Sequence, residues 1–282
     1  LTRSLGSVSM TPRVAMTIAG SDSGGGAGIE ADLRTFTAHR VHGTVAITAV
    51  TAQNTVGVTA VAALEAEMVL AQIATVTEDI AVDAVKTGML ARPATIVAVG
   101  ELAATGALGN LVVDPVLVSS TGHSLMEEGG AEAYRFALLP HAHVLTPNLR
   151  ETAVLLGITV EELDSAAAMA EAGAALRQLG ATWVVVKGGH LLEGGVTATL
   201  APDVVVGPNG IVELPAERVI TRNDHGTGCS MSSAIAANLA LGLETLPAIE
   251  HAKTFVHAGL VGASTWELGR GHGPIDHMGW GG

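Results

Sequence analysis

The stretch NDHGTGCSMSSAIAANLALG, Asn223 to Gly242, sets the chain's only cysteine, Cys229, just ahead of a run of small residues with helical character. Gly226 and Gly228 allow backbone conformations closed to other residues and let a ligand approach closely. A helix opening at Thr227 presents unpaired N–H groups and a partial positive charge, which suits a phosphate. The local alternative is that the glycines only turn the chain and Thr227 caps the helix. At such a helix start the Cys229 thiol is expected to have a lowered pKa, favouring a thiolate that can accept a proton. A lone helical cysteine can equally be a small buried hydrophobe.

Other residues invite a phosphate reading one by one. DPV places the Asp114 carboxylate at a strand end, and TPNLRE places Asn148 and Glu151 three apart at a helix start. Oxygen donors of this kind suit magnesium, which binds through a few carboxylates, waters and substrate phosphate. Taken alone, Asn148 and Glu151 read more readily as an N-cap and its capping-box partner. Lys187 ends the apolar run TWVVV and is placed either to reach a phosphate or to solvate a sheet edge. The loop AGSDSGGGAGIEAD is rich in glycine, yet it lacks a Gly-Lys-Ser/Thr ending and its glycines miss the dinucleotide spacing. It suits a lid or a backbone floor for a small substrate, or else a long turn. Asp32, in the helix that follows, faces either the pocket or solvent. The histidines show no metal-ligand helical spacing, so a zinc site is not expected.

These residues must be held by a regular scaffold. Short β-rich runs alternate with Ala-rich helical stretches: strands at Arg13–Gly20, Thr44–Asn54, AVDAVKTG, Asn110–Val116, AHVLTPN and TWVVVKGG, and helices at IEADLRTFTAHR, Glu65–Asp79, Ala94–Ala103 and NLRETAVLLG. VEELDSAAAMAEAGAALRQLG reads as one longer helix ending near Gly180. TATLAPDVVVGPNGIVELPAERV reads as strands around a Pro-Asn-Gly turn, and two helices, Thr227–Leu241 and Leu246–Leu268, come last. GRGHGPIDH, Gly269–His277, is too glycine-rich for a helix and is expected to form a closing loop. Repeated strand–helix units imply a mostly parallel sheet with helices on both faces, with ligands beyond the carboxyl ends of the strands. Residues 1–12 read as a flexible tail and residues 13–282 as a single domain.

With 48% hydrophobic residues and 15% charged ones, the 282-residue chain can bury a substantial core. A net charge of −13 disfavours a nucleic-acid partner. No apolar run is long enough to span a bilayer. One cysteine and no secretory pattern at the start fit a cytoplasmic protein. Only 2% of residues are aromatic, so pockets must be lined mainly by aliphatic side chains.

In their order and spacing, IAGSDSGGGAGIEADLRTF, ITAVTAQNT, KTGML, LTPNLRE, VVVKGGH, NDHGTGCS and GHGPIDH resemble the ribokinase-like superfamily, and within it the hydroxymethylpyrimidine/phosphomethylpyrimidine kinases of thiamine biosynthesis. The resemblance implies a three-layer α/β/α sandwich, with ATP and Mg2+ as cofactors. It implies hydroxymethylpyrimidine and its monophosphate as substrates, and a homodimer. It places Gly20, Asp32 and Gln53 on the aminopyrimidine, with Met89 and Val116 as apolar walls. Gly226, Thr227, Gly228 and Cys229 become an anion hole beside the substrate hydroxymethyl group, with Cys229 as base or as orienting group. Asn148, Glu151 and Lys187 are assigned to the nucleotide phosphates, and Asp114 with Glu151 to the metal. A pyridoxal or pyridoxine kinase of the same branch is the alternative enzyme. A non-catalytic pyrimidine-binding sensor is the alternative of another class.

Overall fold

The computed structural model describes residues 11–117, 127–189 and 199–281. Ten strands are described: β1 (Val14–Ala19), β2 (His42–Ile47), β3 (Ala49–Asn54), β4 (Gly57–Ala63), β5 (Ala84–Thr87), β6 (Leu111–Val113), β7 (Val144–Leu145), β8 (Trp183–Lys187), β9 (Asp203–Gly207) and β10 (Gly210–Leu214). The α-helices are α1 (Gly28–Ala38), α2 (Ala66–Thr77), α3 (Pro93–Ala104), α4 (Gly130–Ala133), α5 (Leu149–Leu156), α6 (Ala166–Gln178), α7 (Thr227–Ala240) and α8 (Thr245–Gly262). Eight strands form one sheet in the order β10-β9-β8-β7-β6-β5-β1-β2, parallel from β8 to β2. β9 turns back antiparallel on β8 and pairs with β10 through the expected Pro-Asn-Gly turn.

Strand periodicity decides which face each side chain meets. Val85, Leu111, Val113, Leu145, Val184 and Val186 face a core completed by α2, α3, α5 and α6. Their neighbours Ala84, Val112, Val144 and Val185 face the opposite core, completed by α1, α7 and α8. Helices therefore cover both faces, as the alternating pattern requires. Each fully buried valine contributes roughly 1.5–3 kcal/mol. The same parity has a consequence for polar residues. Thr17, Lys86, Asp114 and Lys187 are in phase with the residues facing α1 and α7. They are therefore brought under one helix.

Several expectations need correction. Thr44–Asn54 is two strands: Thr48 donates its amide to Ala19 O at 3.0 Å and its hydroxyl to Met89 O at 2.6 Å. Beyond it, β3 leaves the main sheet and pairs with β4 as a separate antiparallel ribbon. The long helix expected over residues 160–180 is a short 3-10 turn, Val160–Glu162, followed by α6. Two start signals compete there: Thr159 and Glu162 form a capping box, and Ser165 then accepts from Ala168 N at 3.2 Å. The last helix stops at Gly262, and just beyond it Asn223 Nδ2 engages the carbonyls of Ala263 and Trp266 at 2.7 and 2.9 Å. Helical turns over residues 130–141 were not anticipated. Gly269–His277 does form a loop, seated against Arg222, His225 and Thr55. Most of the tail, residues 1–10, lies outside the described residues, as does His190. Among the described residues, no helix is long and apolar enough to cross a membrane.

Candidate active site

The centre of the site is the start of α7. Gly226 is its N-cap at φ +83°, a conformation that a side chain would strain, and no side chain caps the turn. Thr227 therefore does not act as the cap, while Gly226 does turn the chain into the helix. A Cβ at Gly226 would collide with the Gly26 carbonyl, so the turn and the glycine-rich loop meet backbone to backbone. A Cβ at Gly228 would stand 3.1 Å from Lys187 Nζ and 3.8 Å from Asp114 Oδ2. The N–H-rich turn thus opens directly beside a lysine.

Lys187 ends β8, an interior strand, and bonds Asp114 Oδ1 at 2.9 Å with only 14% of its side chain exposed. It does not solvate a sheet edge. Burial works against its charge, yet Asp114 and Glu151 outweigh burial and raise its pKa. Asp114 also accepts from Thr146 Oγ1 at 3.3 Å and Ser232 Oγ at 3.4 Å. At the start of α5, Asn148 and Glu151 form the capping box the local pattern favours: Glu151 N donates to Asn148 Oδ1 at 2.9 Å, and Asn148 N to Glu151 Oε2 at 2.8 Å. Burial pushes the Glu151 carboxyl up to about 7, opposed by Lys187 and reinforced by Asp114. Among the described residues no three His, Cys, Asp or Glu side chains converge on a point. Two neighbouring carboxylates nevertheless fit magnesium, which keeps several waters and takes phosphate oxygens as ligands.

The thiol does not behave as its place on the helix implied. Burial raises the Cys229 pKa to about 11; Lys86 pulls it down, while Asp32 and Asp114 push it up. A half-buried thiol between two carboxylates gains more from staying neutral than the helix start gives a thiolate. Cys229 is a thiol at neutral pH, contrary to the expectation above.

Beneath it lies a second lysine–carboxylate pair that the sequence reading missed. Lys86 Nζ bonds both oxygens of Asp32, at 2.9 and 2.8 Å, and neither side chain is exposed. Thr17 Oγ1 donates to Asp32 at 2.6 Å, and Ser233 Oγ, one helical turn beyond Cys229, donates at 2.7 Å. Asp32 thus faces neither solvent nor open pocket, and its oxygens are occupied by protein donors. The signal for Lys86 was a lone charge in a strand otherwise buried on both faces, which demands a partner.

Of the remaining assigned residues, Gly20 follows β1, Met89 follows β5, Val116 follows β6 and Gln53 lies in β3. Buried Gly20 donates its amide to Met89 O at 3.2 Å, and half-buried Val116 donates its amide to Asp114 O at 2.9 Å. Gln53, in β3, brings its carboxamide to 3.1 Å from His225 Nε2, in the loop leading to α7. The β3–β4 ribbon and the loop leading to α7 are thereby joined.

The family described as phosphomethylpyrimidine kinase matches residues 22–276. This chain belongs to that family. A Rhizobium meliloti protein named hydroxymethylpyrimidine/phosphomethylpyrimidine kinase is 47% identical, over 94% of this chain and 97% of its own. A crystal structure of phosphomethylpyrimidine kinase from Clostridium difficile has a TM-score of 0.74 and 39% identity, covering 86% of this chain and 96% of its own. Pyridoxal kinase from Staphylococcus aureus, in complex with AMP-PCP and pyridoxal, has a TM-score of 0.83 and 31% identity, covering 96% of this chain and 95% of its own. The ribokinase-like α/β sandwich implied by the resemblance is the fold of this family member.

Proposed function

We propose that this family member transfers the γ-phosphoryl group of ATP to the hydroxymethyl oxygen of hydroxymethylpyrimidine, and then phosphorylates the monophosphate to the pyrophosphate, in thiamine biosynthesis. The observation that carries this reading is the uncapped first turn of α7 opening beside Lys187. Backbone N–H groups from Gly226 to Cys229 would hold the transferring oxygens, and Lys187 would neutralise phosphate charge. Such fixed donors stabilise the transition state without reorganising, and phosphoryl transfer asks little else of a protein. Asp114 and Glu151 would hold Mg2+ through water and phosphate, with Asn148 fixing Glu151; the ion supplies charge neutralisation on the phosphates.

A neutral thiol changes the role of Cys229. In a loose transition state the attacking hydroxyl keeps its proton until late, so a strong base is not required. Cys229 then orients the hydroxymethyl oxygen rather than deprotonating it. Gln53 would pair with the heterocycle, and Gly20, Met89 and Val116 would form the surrounding walls. Asp32, sealed against Lys86, supports the site from beneath rather than touching the ring. The chain is read as a single kinase domain over residues 13–282 that acts as a homodimer in the cytoplasm.

The test is product analysis with purified protein, ATP and magnesium, run separately on the pyrimidine alcohol and on its monophosphate. Conversion of both supports the reading; a folded, nucleotide-binding sample that converts neither ends it. The pyridoxal-bound S. aureus neighbour favours a second reading, phosphorylation of pyridoxal. A higher kcat/KM on pyridoxal than on the pyrimidine alcohol would select it.

A further inference from the structure

The carboxylate of Asp22 lies at the head of the glycine-rich loop and is buried. Its Oδ1 accepts from Gly24 N at 2.8 Å, and its Oδ2 from Gly26 N and Ala27 N at 3.0 and 2.9 Å. His225 Nε2 stands 2.9 Å from the same Oδ2 and 3.1 Å from the Gln53 side-chain amide. One ring nitrogen therefore serves two partners, and proton counting limits what those partners can be. Burial disfavours the Asp22 charge, but His225 and the loop amides outweigh it and hold the carboxyl below its usual range, so it is ionised. An ionised oxygen cannot face a nitrogen lone pair, so Nε2 carries a proton. A protonated Nε2 cannot accept from an amide NH2. The Gln53 group nearest the imidazole must then be its carbonyl oxygen, the orientation that heavy-atom positions alone do not distinguish.

We propose that Asp22 and His225 are positioning residues for Gln53. They fix its carboxamide with the oxygen on the imidazole and the NH2 group directed away, ready to donate to a ring nitrogen that bears a lone pair. The backbone around Gln53 is held as well, since its amide donates to Ser23 Oγ and Ser23 Oγ donates to its carbonyl, both at 2.8 Å. The other branch of the carboxamide has no partner among the described residues. It is the free arm of an otherwise pinned side chain. His225 N is bonded to Gly273 O at 3.0 Å, so the glycine-rich loop, the α7 turn and the closing loop all bear on the same group. This inference rests on the reading of Gln53 as a residue that meets the heterocycle.

Two measurements on the full chain test it. In a long-range 1H–15N spectrum of histidine-labelled protein near neutral pH, His225 is assigned by its loss in His225→Phe, or in His225→Gln should the first not fold. A proton on Nε2 is expected; an unprotonated Nε2 overturns the proposal. In steady-state kinetics, Asp22→Asn and Gln53→Ala are each expected to raise the KM for the pyrimidine alcohol roughly 3- to 10-fold, the worth of one hydrogen bond. The KM for ATP should stay nearly constant. Because Asp22 acts through Gln53, the double variant should be no worse than Gln53→Ala alone. Additive losses would overturn positioning while leaving Gln53 as a substrate residue. An unchanged KM in Gln53→Ala, with turnover intact, would instead remove the reading of Gln53 on which the inference stands.

Discussion

Two lysine–aspartate pairs lie under the same helix, and they differ in what else they can reach. Lys86 and Asp32 are fully sealed, with Thr17 and Ser233 completing the shell. Lys187 and Asp114 have the same chemistry, but the lysine retains 14% exposure and stands beside Gly228 in the first turn of α7. The first pair can only hold elements together. The second keeps a face toward that turn, as the proposed phosphate role requires. Two ion pairs of the same residue types thus differ in how far the lysine is withdrawn from solvent.

That division can be broken from either side. Lys86→Met would leave the Asp32 charge buried without its partner, and we expect a loss of about 3–5 kcal/mol in urea unfolding. A loss of less than about 1 kcal/mol would mean that the sealed pair is not structural. The double variant Lys86→Met with Asp32→Leu should recover much of it. Lys187→Met should do the opposite, lowering turnover ~100-fold or more while costing less stability than Lys86→Met, because the Lys187 side chain keeps 14% exposure whereas Lys86 and Asp32 keep none. Equal stability losses in the two lysine variants would erase the distinction.

Cys229, which lies between the pairs, sharpens it. If the thiol orients rather than deprotonates, Cys229→Ser should retain turnover within about tenfold, the scale of one hydrogen bond. Alkylation of Cys229 should be slow at neutral pH and rise toward pH 11. A titration midpoint near neutrality would restore the base role. A pH-dependent effect is expected from His277, in the closing loop, where burial and then Arg34 lower the pKa from 6.5 to about 4. The unfolded chain takes up this proton before the folded one does. Its stabilising contribution is therefore complete above pH 6.5 and is lost as pH falls toward 4. His277→Gln should flatten the Tm profile across that window; a slope identical to that of the parent chain would refute the assignment.

What could be read in advance followed range of interaction. β8 was visible as an apolar run, the β9–β10 turn as Pro-Asn-Gly, and the start of α7 as GTGC, because each is decided by neighbours in the chain. The capping box of Asn148 and Glu151 was equally local, and the structure has it. Lys86 with Asp32, and His225 with Asp22 and Gln53, join residues 54, 203 and 172 positions apart, so no window of sequence displays them. The thiol failed for the same reason. A helix start is a local fact, whereas two carboxylates arriving from β6 and α1 are not. The break at Thr48 was hidden because both halves of Thr44–Asn54 are good strand sequence, and only the sheet they join distinguishes them.

The contact between Gly226 and the Gly26 carbonyl has a consequence of its own. There is no room for a methyl group at that seam, so the glycine-rich loop and the start of α7 lie backbone against backbone. A side chain introduced at Gly226 would have to push the two loops apart, whatever its chemistry.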